Sequence, residues 1–595
     1  MKTLNDRIDS ELAKREAELL SLMHESGYWR GSLSSSPLAT AVAIFALSTF
    51  NRKKFSAEIG SGIKWLIENA NGDGGWGDSP LSRSNLSTTL ICLCTLSLNK
   101  EDERSKIAIG KAGDWLKEHG GHDFPELAES VKSHYGADSS FSAPILMMHA
   151  LSLPEEDRKK AYLKIAPLPF ELVLLPRVFF NILELKVVSY ALPALIAVGL
   201  NIHRNGNQGS WARRLLRGFS ANFAVRRLEK IQPSSGGFLE AIPLTAFVVI
   251  ALASIGYKSN SAIKRGIDFL LKSRKADGAW AIDSDLAVWN TSLAIKALGA
   301  SGCIKDKVQK IQIIRIRNWL LSQQFTKKHP YAGANPGGWG WTDLPGAVPD
   351  ADDTAGALVA LSLLDPTSPE VLDSAKKGAA WLINLQNRDG GIPTFCRGWG
   401  KLPFDRSCPD ISSHTLKALA LWKNELPKST ASAISKTISG ISDYLKSSQN
   451  DDGSWVPLWF GEENSKKGEN RVFGTAQVIQ NCTGFCGNDN GLESALEKGL
   501  VFLRNSQNAD GGWGGSGKSS VEETSAVLSA FATAGHSCDT GKILRGVEWL
   551  IELSERCVEL PAAPIGLYFS SLWYYERLYP LVFFVNALKD FSSTV

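Results

Sequence analysis

Residues 499–514 read GLVFLRNSQNADGGWG, and the order of those residues returns along the chain. A segment Gly-x-x-aromatic-Leu-x-x-x-Gln runs into a short polar turn that closes on Gly-x-aromatic: Gly499, Phe502, Leu503, Gln507, Gly511, Trp513. Further copies are Gly378, Trp381, Leu382, Gln386, Gly390 with Ile392, and Tyr444, Leu445, Gln449, Gly453 with Trp455. Trp319, Leu320 and Gln324 reach Gly337 and Trp339 through a longer loop. Trp65 to Trp76 and Phe269 to Trp280 keep the frame with Ala70 and Arg274 in the Gln position, and Gln232 leads to Gly236 and Phe238. The closing positions 238, 280, 339, 392, 455 and 513 recur at intervals of roughly 40–60 residues, the period of a repeat architecture. Apolar residues beside the turns, such as Ala360, Leu361, Leu363 and Leu364 or Leu416, Ala418 and Leu421, follow helical spacing. Each unit is thus two helices and a turn, and stacked pairs build either an open solenoid or a closed ring. The Gln is read as bonding backbone at a helix end with the next turn's Trp stacked on it, a scaffold role.

At 595 residues the chain is several times a single-domain length, which predicts at least two large domains. Hydrophobic residues at 44% and charged residues at 21% argue for a globular protein and against disorder, collagen or coiled coil. With 65 Lys and Arg against 61 Asp and Glu, a formal charge of +4 gives a nucleic-acid partner no electrostatic support. Nine cysteines without a Cys-x-x-Cys pair predict buried thiols in a reducing compartment, and Cys482 with Cys486 lacks the other ligands of a zinc set. The first 23 residues predict a charged amphipathic helix in place of a signal peptide. The nearest candidate for a membrane span, residues 187–200, is too short and contains Pro193, so a soluble or monotopic chain is expected.

Residues 337–364, GGWGWTDLPGAVPDADDTAGALVALSLL, crowd the carboxyls of Asp350, Asp352 and Asp353 just before an apolar helix. Three anions that close cannot all ionise cheaply in a dry site, so at least one proton is expected to stay near neutral pH. A retained carboxylic proton makes a donor. The same residues also suit an N-cap or a divalent-cation site, and spacing alone leaves acid, metal and cap open.

PDADDTA resembles the DxDD acid motif of class II terpene cyclases, and the Gln–Trp repeat is the mark of their triterpene branch. Over nearly its whole length the chain is similar to bacterial squalene–hopene cyclases. The resemblance implies an all-α fold of two α/α toroids: a helix at 1–19 docking on the larger barrel, a smaller barrel at 20–285, and the larger at 286–595, with the cavity between them. It implies that Asp352 protonates a terminal alkene of squalene or a similar isoprenoid, that Asp350 and Asp353 support it by hydrogen bonding, and that Asp410 and His414 in DISSH supply its partner. The doubled acid Asp352-Asp353 points to an unepoxidised alkene, because oxidosqualene cyclases have a DCTAE-type sequence there. Positions matching the cavity aromatics are Trp289, Trp341, Phe395, Trp459 and Tyr190, with Tyr575 in a C-terminal aromatic run that includes Tyr568 and Phe569. Aromatic faces stabilise passing cations by about 0.5–2 kcal/mol each without attacking them. No cofactor or metal is implied.

Departures from the family cluster at the product end of the cavity. Two Glu and a Gln-Pro pair of hopene cyclases correspond here to Thr40, Ile91 and Ile242-Pro243, and the usual tyrosine near the histidine to Phe473. Glu240 is the nearest acid in sequence to that region and the candidate base. An insoluble substrate implies entry from a membrane. Trp211, Leu215, Phe219 and Phe223 form an i+4 stripe with Arg213, Arg214, Arg217, Arg226 and Arg227 beside it, the pattern of a monotopic interfacial helix. The expected setting is the cytoplasmic face of a membrane, as a peripheral protein and a homodimer. The alternatives are cyclisation of another long polyprenyl chain, a zinc-dependent protein-prenyltransferase-like toroid subunit, and a non-catalytic repeat scaffold.

Overall fold

The computed structural model describes residues 3–100, 102–136, 139–175, 188–206, 211–300, 304, 308–465, 467–485, 489–535, 540–567 and 572–592. Two closed rings of helices make up the molecule. The inner helices of the smaller ring are α1 (Pro37–Asn51), α2 (Leu86–Ser97), α3 (Ser139–Ser152), α4 (Val188–Gly206) and α5 (Ile242–Ser254), each packed on the next and α5 back on α1. The larger ring has α6 (Ala287–Gly299), α7 (Ala351–Leu364), α8 (Pro409–Trp422), α9 (Arg471–Cys482), α10 (Val521–Thr533) and α11 (Tyr579–Ser592), closed by α11 on α6. An outer layer of returning helices surrounds both rings. In the larger ring these include Pro369–Leu385, Lys428–Ser448 and Asn490–Asn505, with Leu4–Ser21 packed on α11 and on Thr540–Arg556. Inner helices such as α5, IPLTAFVVIALAS, are apolar on every side because neighbours enclose them, whereas outer helices bury one stripe. Among the described residues no helix is long and apolar enough to cross a membrane.

The repeat closes the rings through three recurring hydrogen bonds. The Gln side chain ties its own turn to the next outer helix: Gln449 Nε2 donates to Gly453 O at 2.9 Å and Ala495 O at 2.7 Å. Gln232, Gln324, Gln386 and Gln507 do the same. The Trp supplies a second bond. Its indole N–H donates to the carbonyl of the motif's Leu, as Trp455 does to Leu445 O at 2.9 Å and Trp513 to Leu503 O at 2.7 Å. A fully buried indole must find an acceptor, and the last turn of the preceding helix offers free carbonyls. The motif's leading Gly makes room for that ring: a Cβ at Gly499 would lie 2.9 Å from Trp455 Cζ3, and one at Gly378 3.0 Å from Trp339 Cζ3.

A third bond was not legible in the pattern. The backbone N–H of each closing residue donates to a hydroxyl on the following inner helix, pairing Trp76 with Thr89, Phe238 with Thr245, Trp339 with Thr354, Ile392 with Ser412, Trp455 with Thr475 and Trp513 with Thr524. Trp280 reaches Thr40 on α1 and so closes the smaller ring on itself. An unrecognised copy, Leu19 to Trp29, reaches Thr291 on α6, 262 residues away. The smaller ring is therefore inserted between the first outer helix of the larger ring and the inner helix it serves. A two-stranded hairpin, Ile565–Leu567 against Leu572–Tyr574, is the one paired sheet among the described residues.

The Trp211–Ile231 helix leaves Trp211 73%, Leu215 59%, Phe219 78% and Phe223 49% exposed. Arg217 departs from the expected cationic face. It is buried, ion-paired with Glu171 at 3.0 Å and laid over the Phe170 ring, because its position on the helix turns inward. The side chain of Arg213 lies outside the described residues, as do Tyr568 and Phe569.

Candidate active site

Three consecutive inner helices bring the acid, its partner and an aromatic wall together. Asp350 is the N-cap of α7 and accepts the Asp353 N–H at 2.8 Å, so the cap reading holds for this residue. Asp352 sits in the first turn of α7 with its side chain 24% exposed. Its Oδ1 lies 2.6 Å from Nδ1 of His414 on α8. Trp289 on α6 stands edge-on to that imidazole, centroids 6.2 Å apart.

Asp350 and Asp353 do not hydrogen-bond the Asp352 carboxyl, contrary to expectation. The helix's own geometry turns them toward each other. Burial, then the charge of its partner, pushes Asp353 well above the usual carboxylate range, and burial raises Asp350 to about 7. Asp350 Oδ2 and Asp353 Oδ1 are buried without another partner, and a proton held between the two carboxyls answers both. Both lie within electrostatic reach of Asp352. Asp410 likewise does not bond His414: its carboxylate accepts the Cys408 thiol at the start of α8, and burial raises it to about 6.

The aromatic positions converge. The Phe395 ring has Tyr190 at 5.3 Å, Trp459 at 6.0 Å and Trp341 at 6.3 Å between centroids. Trp459 is fixed by its indole donating to Thr394 at 2.6 Å, and the Tyr190 hydroxyl donates to Phe395 O at 3.3 Å. The sequence reading missed Phe404, 5.4 Å from Phe395 and stacked on Tyr190. Tyr575 falls on the wrong side. It faces an outer groove with Trp29 and Arg577, while its neighbour Tyr574 is buried and within electrostatic reach of Asp353. Side chains next to each other in extended chain point to opposite faces.

An apolar cavity lies between the rings, walled by Ile91, Tyr190, Pro243 and Phe247 from one side and Phe404 and Leu572 from the other. Of the product-end positions Ile91 and Pro243 line it. Thr40 does not, because its hydroxyl serves Trp280, and Ile242 points away while its N–H bonds Ile282 O. Phe473 stacks on Phe460 at 4.6 Å, away from that wall. Glu240, in a positive-φ pair with Leu239, is buried behind the wall with Oε1 taking the Gly346 N–H and the Ser235 hydroxyl, both at 2.6 Å. The carboxyl on the wall is Asp283, pushed well above its usual range by burial and by the charge of Glu240, and taking the Trp341 indole N–H at 3.4 Å. A signal for it exists: Asp283, Trp341, Phe395 and Trp459 all fall two to four residues after a repeat's closing residue (Trp280, Trp339, Ile392, Trp455), where the chain crosses toward the next inner helix.

Among the described residues no three His, Cys, Asp or Glu side chains converge as metal ligands would, so the zinc set of a prenyltransferase-like subunit does not fit them. Family models for the squalene-hopene cyclase N-terminal and C-terminal domains match residues 12–124 and 286–556. Enfumafungin synthase of Hormonema carpetanum is 24% identical over 93% of this chain, which spans 46% of that relative's length. The squalene–hopene cyclase of Alicyclobacillus acidocaldarius is 24% identical over 78% of this chain and 76% of its own. The solved ent-copalyl diphosphate synthase from Streptomyces platensis shares the fold, with TM-score 0.63 and 17% identity over 98% of this chain and 99% of that one. With a domain model on each ring and the acid cluster on the first turn of α7, the chain belongs to the squalene–hopene cyclase family of class II terpene cyclases.

Proposed function

We propose that the chain protonates a terminal alkene of a long linear isoprenoid, squalene first among them, and cyclises it to a polycyclic triterpene. The observation that carries the reading is the Asp352–His414 pair at 2.6 Å, set beside Trp289 and partly open while its two neighbouring acids are buried. A Nδ1–H donating to Oδ1 leaves Oδ2 to carry the transferable proton and stabilises the carboxylate once that proton has gone. The alkene takes the proton on its less substituted carbon, and the tertiary cation formed is attacked by the next double bond. Each closure trades a π bond for a σ bond, so the cascade runs downhill with no redox step. Rings facing Phe395 stabilise the moving charge at about 0.5–2 kcal/mol apiece and offer no lone pair to trap it. The last cation loses a proton or takes up water.

The substrate reaches the protein from lipid, with the Trp211–Ile231 helix docked on a cytoplasmic membrane face. Its exposed Trp211, Leu215 and Phe219 support this placement. Incubating the purified chain in mild detergent with squalene, beside Asp352→Asn, tests the reading by gas chromatography–mass spectrometry. A new isomer or hydrate absent from the variant is expected. Squalene unchanged in both tubes would shift the substrate to other polyprenyl chains, and conversion surviving in the variant would remove Asp352 as the acid.

A further inference from the structure

Beneath the acid, the centre of the larger ring is polar. Lys296 on α6, Lys417 on α8 and Asp590 on α11 lie within electrostatic reach of one another, and Cys482 on α9 within reach of Lys417. Side chains from those four helices of a six-helix ring meet only across its lumen. Each stands in the second half of its helix, and inner helices joined through a returning outer helix all run the same way. The cluster therefore lies on one level, roughly 10–15 Å along the ring axis from the helix starts that hold Asp352. On α6 the residues Trp289, Leu293 and Lys296 keep partial exposure while those between them are buried, a stripe at i, i+4, i+7 that runs from the acid to the cluster.

Neither lysine has a hydrogen-bond or ion-pair partner among the described residues, and both side chains keep partial exposure. Lys296 also feels the charge of Asp352 directly. Burial, then the charge of Lys296, brings Lys417 down to about 7, where an ammonium gives and regains a proton easily. The other groups facing the cluster are His414 one turn above Lys417, and Asn586 and Ser529, which bond each other beside Asp590.

We propose that Asp352 is re-protonated through the lumen of the larger ring, with Lys417 and Lys296 passing the proton. The inference rests on the proposed proton donation by Asp352. Each turnover leaves a carboxylate. An N–H bond of a lysine ammonium breaks, its proton travels over lumen water to a carboxylate oxygen, and the neutral amine takes a proton from solvent. The proton released when the cascade ends balances the one taken in.

The test compares single turnover, with enzyme in excess over squalene, against steady state, using the full chain in detergent. Lys417→Met and Lys296→Met are expected to keep the first-turnover rate within about twofold and to lose about tenfold or more in steady-state rate, since only the second proton needs the relay. Lys417→Arg keeps the charge but holds its proton too tightly, so it should slow steady state as Met does and covers the case in which Met disturbs folding. Arg running at the parent's steady-state rate, or first and later turnovers slowed alike, overturns the relay. A parent chain that converts no polyprenyl hydrocarbon overturns instead the cyclase reading on which it rests.

Discussion

Replacing His414 by phenylalanine separates what the imidazole contributes from what the acid contributes. The ring sits edge-on to Trp289 and its Nδ1 is 2.6 Å from Asp352 Oδ1, so phenylalanine keeps the shape and removes one hydrogen bond. A hydrogen bond to a charged group is worth about 1.5–3 kcal/mol. Acting on the carboxylate left behind, the bond stabilises the product of proton transfer by that amount. If that stabilisation is fully felt in the protonation step, the rate of conversion should fall about 10- to 150-fold in His414→Phe. Asp352→Asn, which has no transferable proton, should fall below detection in the same gas-chromatographic assay. Melting curves of the two variants should lie close to the parent's. An unchanged rate would mean that the 2.6 Å contact has no part in the chemistry. A loss as complete as that of Asp352→Asn would mean that His414 itself handles the proton.

Asp350→Asn keeps the cap of α7, since Asn caps as well as Asp. The folded-state value of Asp350 is raised to about 7, so the stability its protonation contributes is present at low pH and lost as pH rises through about 7. The variant should melt above the parent at pH 8 and show a smaller gap at pH 5; an equal gap at both would refute the shared proton. Gln449→Ala removes two bonds and strands two backbone carbonyls, which should cost about 2–4 kcal/mol in urea unfolding of the larger ring. Phe395→Ala opens the centre of the ring cluster, and products with fewer rings should rise in the mass spectra; an unchanged profile would show that cations bypass it. Trp211→Glu with Phe219→Glu should weaken binding to anionic vesicles about 30-fold or more in a flotation assay, while activity on detergent-dispersed substrate stays near the parent's.

The helical repeat was open to reading from the chain because its parts lie within about 15 residues of one another and local periodicity encodes them. The same holds for the three acids, which one helix start places together whatever the rest of the fold does. His414 could be paired with Asp352 only through likeness to relatives, since 62 residues separate them and no local rule joins them. What the tertiary structure alone decided are matters of facing and of distant neighbours. Extended chain at the C-terminal hairpin turns Tyr574 inward and Tyr575 out, a choice that composition cannot make. Arg217 belongs by spacing to a cationic face, yet Glu171 sits within reach on the inner side and claims it. Likeness to the family puts Thr40 in the product pocket, but its hydroxyl is needed at Trp280 to shut the smaller ring. Lys296, Lys417 and Asp590 look like unrelated surface charges on three helices. Ring closure folds their helices around a common axis, and only that closure puts them face to face beneath the acid.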